Sequence, residues 1–527
     1  LTPQINSLAK DATCLSECAA GRSPEESPQQ VIELQRGRAM GSRLSLCMIV
    51  RDEERNLPLC LEPLRSLVDE IVVVDTGSTD GTRDAAARLG AKVYDFKWID
   101  DFSAARNESL RHATGDWVLW LDADDRLDSE NQAVLAALRE RIDHERADLY
   151  AVQVLSTVVS ASSSGCLVTQ ARLFRRTQMC WRRRVHEELV PVDPNARLAM
   201  QASELVIHHV GYENPARRRA KLHRDLRLLQ LDYAVNPDDP LTLFHLAWEH
   251  LELGNFTQTV RYARRGLSRN PDLPRLYSVM AQAQSKMNRK QEALATCDKG
   301  LVQIPDDQEL LYYRGVLQGE LGDLAGAEQS LVKLINLPPQ RYFFFCGEMG
   351  LQTEKARFML GLLYQQQGRW SEAELQFRTA LRQHPRSSQA WLGLGQLYLA
   401  AKHAEGFAHA VAELRQCPMG EVLAPVLEAR WRMERHDLVG ALRLLEQAIA
   451  CDPQMVWPRL VLSDLAIRGG VDRATAIRIH REILELDPEH RVVRERLEML
   501  LRPESSVHSP PASDEPAAGW SVAFASR

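Results

Sequence analysis

Aromatic residues make up only 6% of the 527-residue chain. So low a share points to long stretches of Leu/Ala-rich helix. No run approaches the roughly 18 apolar residues that a membrane-spanning helix needs, and the first 22 residues lack the continuous apolar core of a signal peptide. Charge of one sign is also scarce. Lys+Arg 65 against Asp+Glu 71 leaves -6, too mild an imbalance to make nucleic acid a partner. The ten cysteines are scattered and give neither paired CxxC knuckles nor a small disulfide framework. They read as reduced, mostly buried thiols of a cytoplasmic protein without a transmembrane segment, with peripheral association at a membrane left open.

What is present falls into unlike parts. Residues 1–42 are polar and without sustained period, so they read as a disordered or over-annotated segment. Met40, directly before GSRLSLCMIV, is the expected natural start. Residues 43–212 alternate short apolar runs with helical patterns. Strands are expected at 44–50, 70–74, 92–96 and 117–121, and helices at 56–67, 80–89, 103–113 and 129–142. Such alternation predicts an α/β domain with a mainly parallel sheet, whose ligands gather where strand carboxyl ends open into loops. Residues 213–239 read as a linker helix.

After 239 the pattern changes. Prolines recur at Pro271, Pro305 and Pro339, then at Pro385, Pro418, Pro453 and Pro488. A period near 34 with two helices per unit is the tetratricopeptide signature. Leu360, Gly361, Tyr364, Gly368, Ala373, Phe377 and Ala380 stand at that repeat's spacing, and Ala293, Ala327 and Ala441 match Ala373. About seven units are expected in a repeat domain spanning 240–500, an all-α superhelix suited to binding a protein or peptide. An insertion near 338–352 carries Tyr342-Phe343-Phe344-Phe345, either a recognition patch or the packing of an irregular joint. Residues 501–527 read as a disordered tail.

Chemistry concentrates between 46 and 125. Arg51-Asp52-Glu53-Glu54 follows the first strand, Asp75-Thr76-Gly77-Ser78-Thr79-Asp80-Gly81-Thr82 the second, and Asp122-Ala123-Asp124-Asp125 the fourth. These loops should meet at one sheet edge. Asp122 and Asp124 can set oxygen ligands around a hard cation that bridges phosphate oxygens. Asp75 can accept from a base or ribose, and Gly77 permits a tight turn near the ligand. Asp52, Glu54 and Asp80 join the candidate nucleotide-diphosphate site, with a plain helix N-cap the other role open to Asp80. Arg106 can neutralise phosphate charge, or make a surface ion pair.

LSLCMIVRDEERNL, EIVVVDTGSTDGT, DFSAARNESLRHATGDW and LDADD together resemble the inverting glycosyltransferases of family 2. The likeness covers residues 44 to about 235, and the repeats are a second match. It is nearest to the branch of lipopolysaccharide-core glucosyltransferases and bacteriocin S-glycosyltransferases. The resemblance implies a GT-A fold, a nucleotide-sugar donor (commonly a UDP-sugar), a hexosyltransferase-type activity, and Mn or Mg. It places Asp75 on the nucleoside base, Asp122 on the ribose or donor sugar, and Asp124 on the metal.

Further on, 171–176 with Val185-His186-Glu187, and ELVIHHVGY at 204–212, resemble later segments of the same branch. Inverting transfer needs a base for the acceptor's proton. Glu187 is the candidate, with Glu188 its neighbour and an ion pair to Arg182–Arg184 the alternative role. His208 or His209 could complete the metal or diphosphate shell, and His209 fits the family turn better. The six arginines from Arg172 to Arg184 could bind an anionic acceptor or donor phosphates, or form a solvated basic face. Two rival functions remain: an interaction scaffold with a silent transferase domain, and a transferase acting on lipopolysaccharide or cell-surface glycan.

Overall fold

A computed structural model describes residues 41–156, 165–211, 215–340, 347–488 and 490–501. The expectations for the first forty residues, for Tyr342-Phe343-Phe344-Phe345 and for the tail after 501 lie outside these residues. The chain forms two compact units, one built from the described residues up to Ser156 and from Val168 to Pro237, the other from the described residues up to Leu167 that follow Ser156 and from Asp238 onward.

The first unit is a mixed sheet with helices. Its strands are β1 (Leu44–Val50), β2 (Glu70–Asp75), β3 (Lys92–Asp95), β4 (Trp117–Trp120), β5 (Asp125–Arg126), β6 (Leu149–Ser156), β7 (Cys166–Arg175), β8 (Met179–Arg182), β9 (Glu188–Pro191) and β10 (Met200–His209). Eight of them run in the order β3-β2-β1-β4-β7-β6-β10-β5, while β8 and β9 pair separately. The β3-β2-β1-β4 half is parallel. β1, β2 and β4 read as continuous apolar runs because helices cover both faces; every residue of β2 is buried. The mainly parallel expectation holds for this half and for β10 on β6, whereas β7 pairs antiparallel with β4, as does β5 with β10.

Helices α1 (Asn56–Leu61), α2 (Thr82–Arg88), α3 (Phe102–His112), α4 (Ser129–Arg141) and α5 (Pro215–Val235) complete the unit. The first is shorter than its apolar pattern suggests. Pro63 has no N–H to extend α-helical bonding, and the chain passes into a 3-10 turn at Glu62–Leu64. Asp101 and Asp128 cap α3 and α4 by accepting from Ala104 N and Asn131 N. The expected linker helix, α5, packs back into this unit: Arg227 forks onto Asp100 at 2.6 and 2.7 Å, and Arg184 lies 3.4 Å from Asp232.

The second unit contains, among the described residues, seven antiparallel helix pairs and one closing helix, Arg491–Leu501. Five of the seven periodic prolines stand two residues beyond the second helix of a pair. Pro339 and Pro418 stand four beyond, because Leu324–Ile335 and Ala404–Leu414 are shorter. Ala293, Ala327, Ala373 and Ala441 are fully buried. A Cβ on Gly361 or Gly393 would collide with the Phe377 ring, so these small residues admit one ring between neighbouring helices. Cys47, Cys60, Cys297 and Cys417 are free and buried. Cys166 departs from the reduced-thiol expectation: it is disulfide-bonded. No described helix is long and apolar enough to cross a membrane.

Candidate active site

Parallel pairing sets Val50 beside Asp75 and Cys47 beside Trp120. The loops after β1, β2 and β4 therefore leave the sheet at one edge, and the first two are laced together. Asp52, with φ 55, accepts from Thr79 N at 2.7 Å while its own N–H donates to Ser78 Oγ at 2.9 Å. The Glu53 N–H donates to Thr82 Oγ1 at 2.7 Å, and Glu54 Oε2 accepts from Gly81 N at 3.1 Å.

Asp75 is buried, and its carboxylate accepts from Gly77 N at 3.3 Å, Ser78 N at 3.1 Å and Ser78 Oγ at 2.5 Å. The carboxylate thus closes its own turn, which Gly77 makes with φ 106. Asp80 is not the N-cap of α2, a position held by Gly81. Its carboxylate accepts from Thr82 N at 3.0 Å and from the Glu54 N–H at 3.2 Å.

A second cluster forms where β4 ends. Ligand atoms of Asp122, Asp124, Asp125 and His209 all lie within 4.8 Å of one another. β5 and β10 build it by pairing Asp125 with His209 in register. His209 Nδ1 is 3.0 Å from Asp125 Oδ1 and 3.5 Å from Asp124 Oδ1. His208 points elsewhere, to Asp128 at 3.3 Å.

Arg106, on α3, is buried. Its Nε donates to Glu187 at 2.5 Å, and Nη2 to Asp122 at 3.0 Å. The guanidinium lies 4.3 Å from the Trp120 ring centroid and 5.3 Å from that of Trp181. Glu187 thus pairs with Arg106 instead of the arginines at 182–184, and Glu188 takes Arg183 at 2.8 Å.

The acids differ in balance. Burial works to raise the Asp122 carboxyl, but Arg106, Arg172 and His209 hold it well below the usual carboxylate range. Burial raises Asp124, and the Asp122 and Asp125 charges add to that against His209 and Lys221. For His209, burial works downward, yet the bond to Asp125 and the Asp124, Asp125 and Asp122 charges raise it.

Sequence patterning misses four contributors. Arg172 is buried inside β7, 3.0 Å from Asp125, although it belongs to a run that also suits a solvated basic face. Asp125 sits in the LDADD motif without a role of its own. The Lys221 charge, on α5, works to lower Asp124. A Cβ on Gly211 would collide with Asp124 Oδ2 and lie 2.9 Å from His209 Nε2. An arginine within an apolar strand, downstream of three clustered acids, is the signal that could have revealed Arg172.

Residues 45–165 match the profile of Glycosyl transferase family 2, and residues 358–419 a tetratricopeptide repeat profile. A TPR repeat-containing protein of Synechococcus elongatus is 35% identical over 247 residues, 45% of this chain and 59% of its own. The SPbeta prophage-derived glycosyltransferase SunS of Bacillus subtilis is 26% identical over 227 residues, 42% of this chain and 52% of its own. An uncharacterized glycosyltransferase of Rickettsia typhi is 29% identical over 113 residues, 21% of this chain and 38% of its own. The chain spans about half the length of the first two of these relatives.

Proposed function

We propose, for a chain that carries a family 2 glycosyltransferase domain ahead of tetratricopeptide repeats, that the first unit moves a sugar from a nucleotide-diphosphate donor, a UDP-sugar being the first candidate. The transfer inverts the anomeric carbon, and the repeats recruit the protein or peptide acceptor or its carrier. One observation carries the reading. Ligand atoms of Asp122, Asp124, Asp125 and His209 gather within 4.8 Å of one another, at the sheet edge where the laced β1 and β2 loops emerge.

That cluster fits a divalent cation. Carboxylate oxygens and an imidazole suit Mn or Mg, and burial with the Asp122 and Asp125 charges raises Asp124 despite His209 and Lys221. Asp124 and His209 would hold the ion, which when bound would neutralise charge on the leaving diphosphate. In this reading the Asp52–Thr79 and Glu54–Gly81 lacing forms the nucleotide wall, with Asp75 on the base and Asp80 supporting the turn. Asp122, steadied by Arg106, faces the ribose or donor sugar. Glu187, oriented by the same guanidinium, takes the acceptor's proton as the acceptor atom bonds to the anomeric carbon and the nucleoside diphosphate departs with the old bond's electrons.

The test is a donor panel incubated with the full chain and Mn or Mg, read by mass spectrometry against lysate of the host as acceptor pool. Asp124→Asn should lower metal-dependent donor turnover by at least ~100-fold, the scale expected when electrostatic stabilisation of a leaving group is lost, with the fold intact by circular dichroism. Full turnover in that variant would remove the metal assignment. No response to any nucleotide-sugar from the folded protein would favour an interaction scaffold.

A further inference from the structure

Asp125 occupies the centre of the acidic cluster yet is poorly placed to hold an ion. It is fully buried, and both of its oxygens are committed. Oδ2 accepts from Asp122 N at 2.9 Å and from Arg172 Nη1 at 3.0 Å, while Oδ1 meets His209 Nδ1 at 3.0 Å. Arg172 is itself fixed. Its guanidinium lies 3.5 Å over the Trp120 ring, Nε donates to Gln170 Oε1 at 3.0 Å, and Nη2 stands 3.8 Å from Asp122. A planar guanidinium locked by stacking and forked bonds holds a carboxylate in one orientation.

His209 Nε2 and Asp124 Oδ2 both approach Gly211, where a Cβ would collide with the carboxylate and lie 2.9 Å from Nε2. An imidazole presents a lone pair at one nitrogen when the other carries the proton, and a carboxylate acceptor fixes which is which.

We propose that Asp125 and Arg172 are positioning residues: Asp125 accepts the Nδ1 proton of His209 and turns Nε2 toward Asp124, and Arg172 clamps Asp125 in that pose. The arrangement rests on Asp124 and His209 being cation ligands, and it assigns the fourth acid of the cluster and a buried arginine to orientation of the third.

The experiment titrates the full chain with Mn2+, with and without UDP, and follows free Mn2+ by electron paramagnetic resonance. Asp125→Asn puts an amide N–H against either Arg172 or His209, so Mn2+ binding should weaken roughly 10–100-fold. His209→Ala should weaken it similarly. The double variant should be no weaker than either single one, because both act through the same imidazole. Additive losses, or wild-type affinity in Asp125→Asn, overturn the proposal while leaving the ion site standing. Absence of Mn2+ binding in the wild-type chain overturns both.

Should Asp125→Asn fail to fold, 15N-histidine spectra of the wild-type protein at pH 8 decide, with the His209 signals assigned by their loss in His209→Gln. A proton on Nδ1 agrees with the proposal, and a pyridine-type Nδ1 overturns it.

Discussion

Glu70 opens β2 at the sheet edge opposite the candidate site, and it ties the starts of several strands together. Its Oε1 accepts from Ser45 Oγ at 2.6 Å, Thr114 Oγ1 at 2.9 Å, Gly115 N at 3.2 Å and the Thr114 N–H, while Oε2 pairs with Lys92 at 3.0 Å. Burial works to raise this carboxyl, but the donors of Ser45, Thr114 and Lys92 overcome it and bring it from 4.5 down to about 2. The folded value lies below the unfolded one, so the stabilisation is present above pH ~4.5 and is lost as pH falls toward ~2. At 1.36 kcal/mol per unit, the ionised group contributes about 3 kcal/mol at pH 7 and about 1 kcal/mol at pH 3. The first figure is a ceiling, because Lys92 is half-exposed and its part is screened.

Glu70→Gln keeps one acceptor and removes the charge. Calorimetry of the full chain should show the first unit's transition falling by ~6–12 °C at pH 7. The gap to wild type should close to about a third of that at pH 3. A pH-independent shift, or one below ~2 °C at pH 7, would refute the reasoning.

Other substitutions probe separate links. Glu187→Gln should leave donor binding within about twofold and cut transfer by ~100-fold or more, the usual span for a lost general base; equal transfer would remove Glu187 as base. Gly211→Ala should weaken Mn2+ binding with little change in melting temperature, since its methyl would displace Asp124 Oδ2 and crowd His209 Nε2; unchanged binding would show that the ion sits elsewhere. Phe377→Ala should cost about 3–5 kcal/mol in the second unit, as for a fully buried ring lost from a packed core, without altering donor turnover. Thermal unfolding read beside activity separates the two effects.

Much of this fold is legible because its signals are local. The runs LSLCMIV, EIVVVD and WVLW become β1, β2 and β4 with small boundary shifts, since each is an apolar strand bounded by polar loops. The proline period survives because every helix pair repeats the same termination problem. What patterning does not reach is long-range pairing. The antiparallel return of β7 and the β5–β10 ladder bring Arg172 and His209 to Asp125 across 47 and 84 residues, and no local window holds both partners. The Arg106–Glu187 pair, 81 residues apart, is hidden for the same reason. A basic run looks alike whether its members are solvated or, as with Arg172, buried against a ring and a carboxylate.

The lacing between the loops after β1 and β2 bears on engineering. Each loop supplies hydrogen-bond partners that the other requires, down to a glycine at 81 whose Cβ would stand 2.5 Å from Glu54. The two segments are therefore a single module of inheritance. Grafting the β2 loop of a relative with a different donor preference would strand Asp52 and Glu54, and a chimera would have to exchange both loops together to carry that preference across.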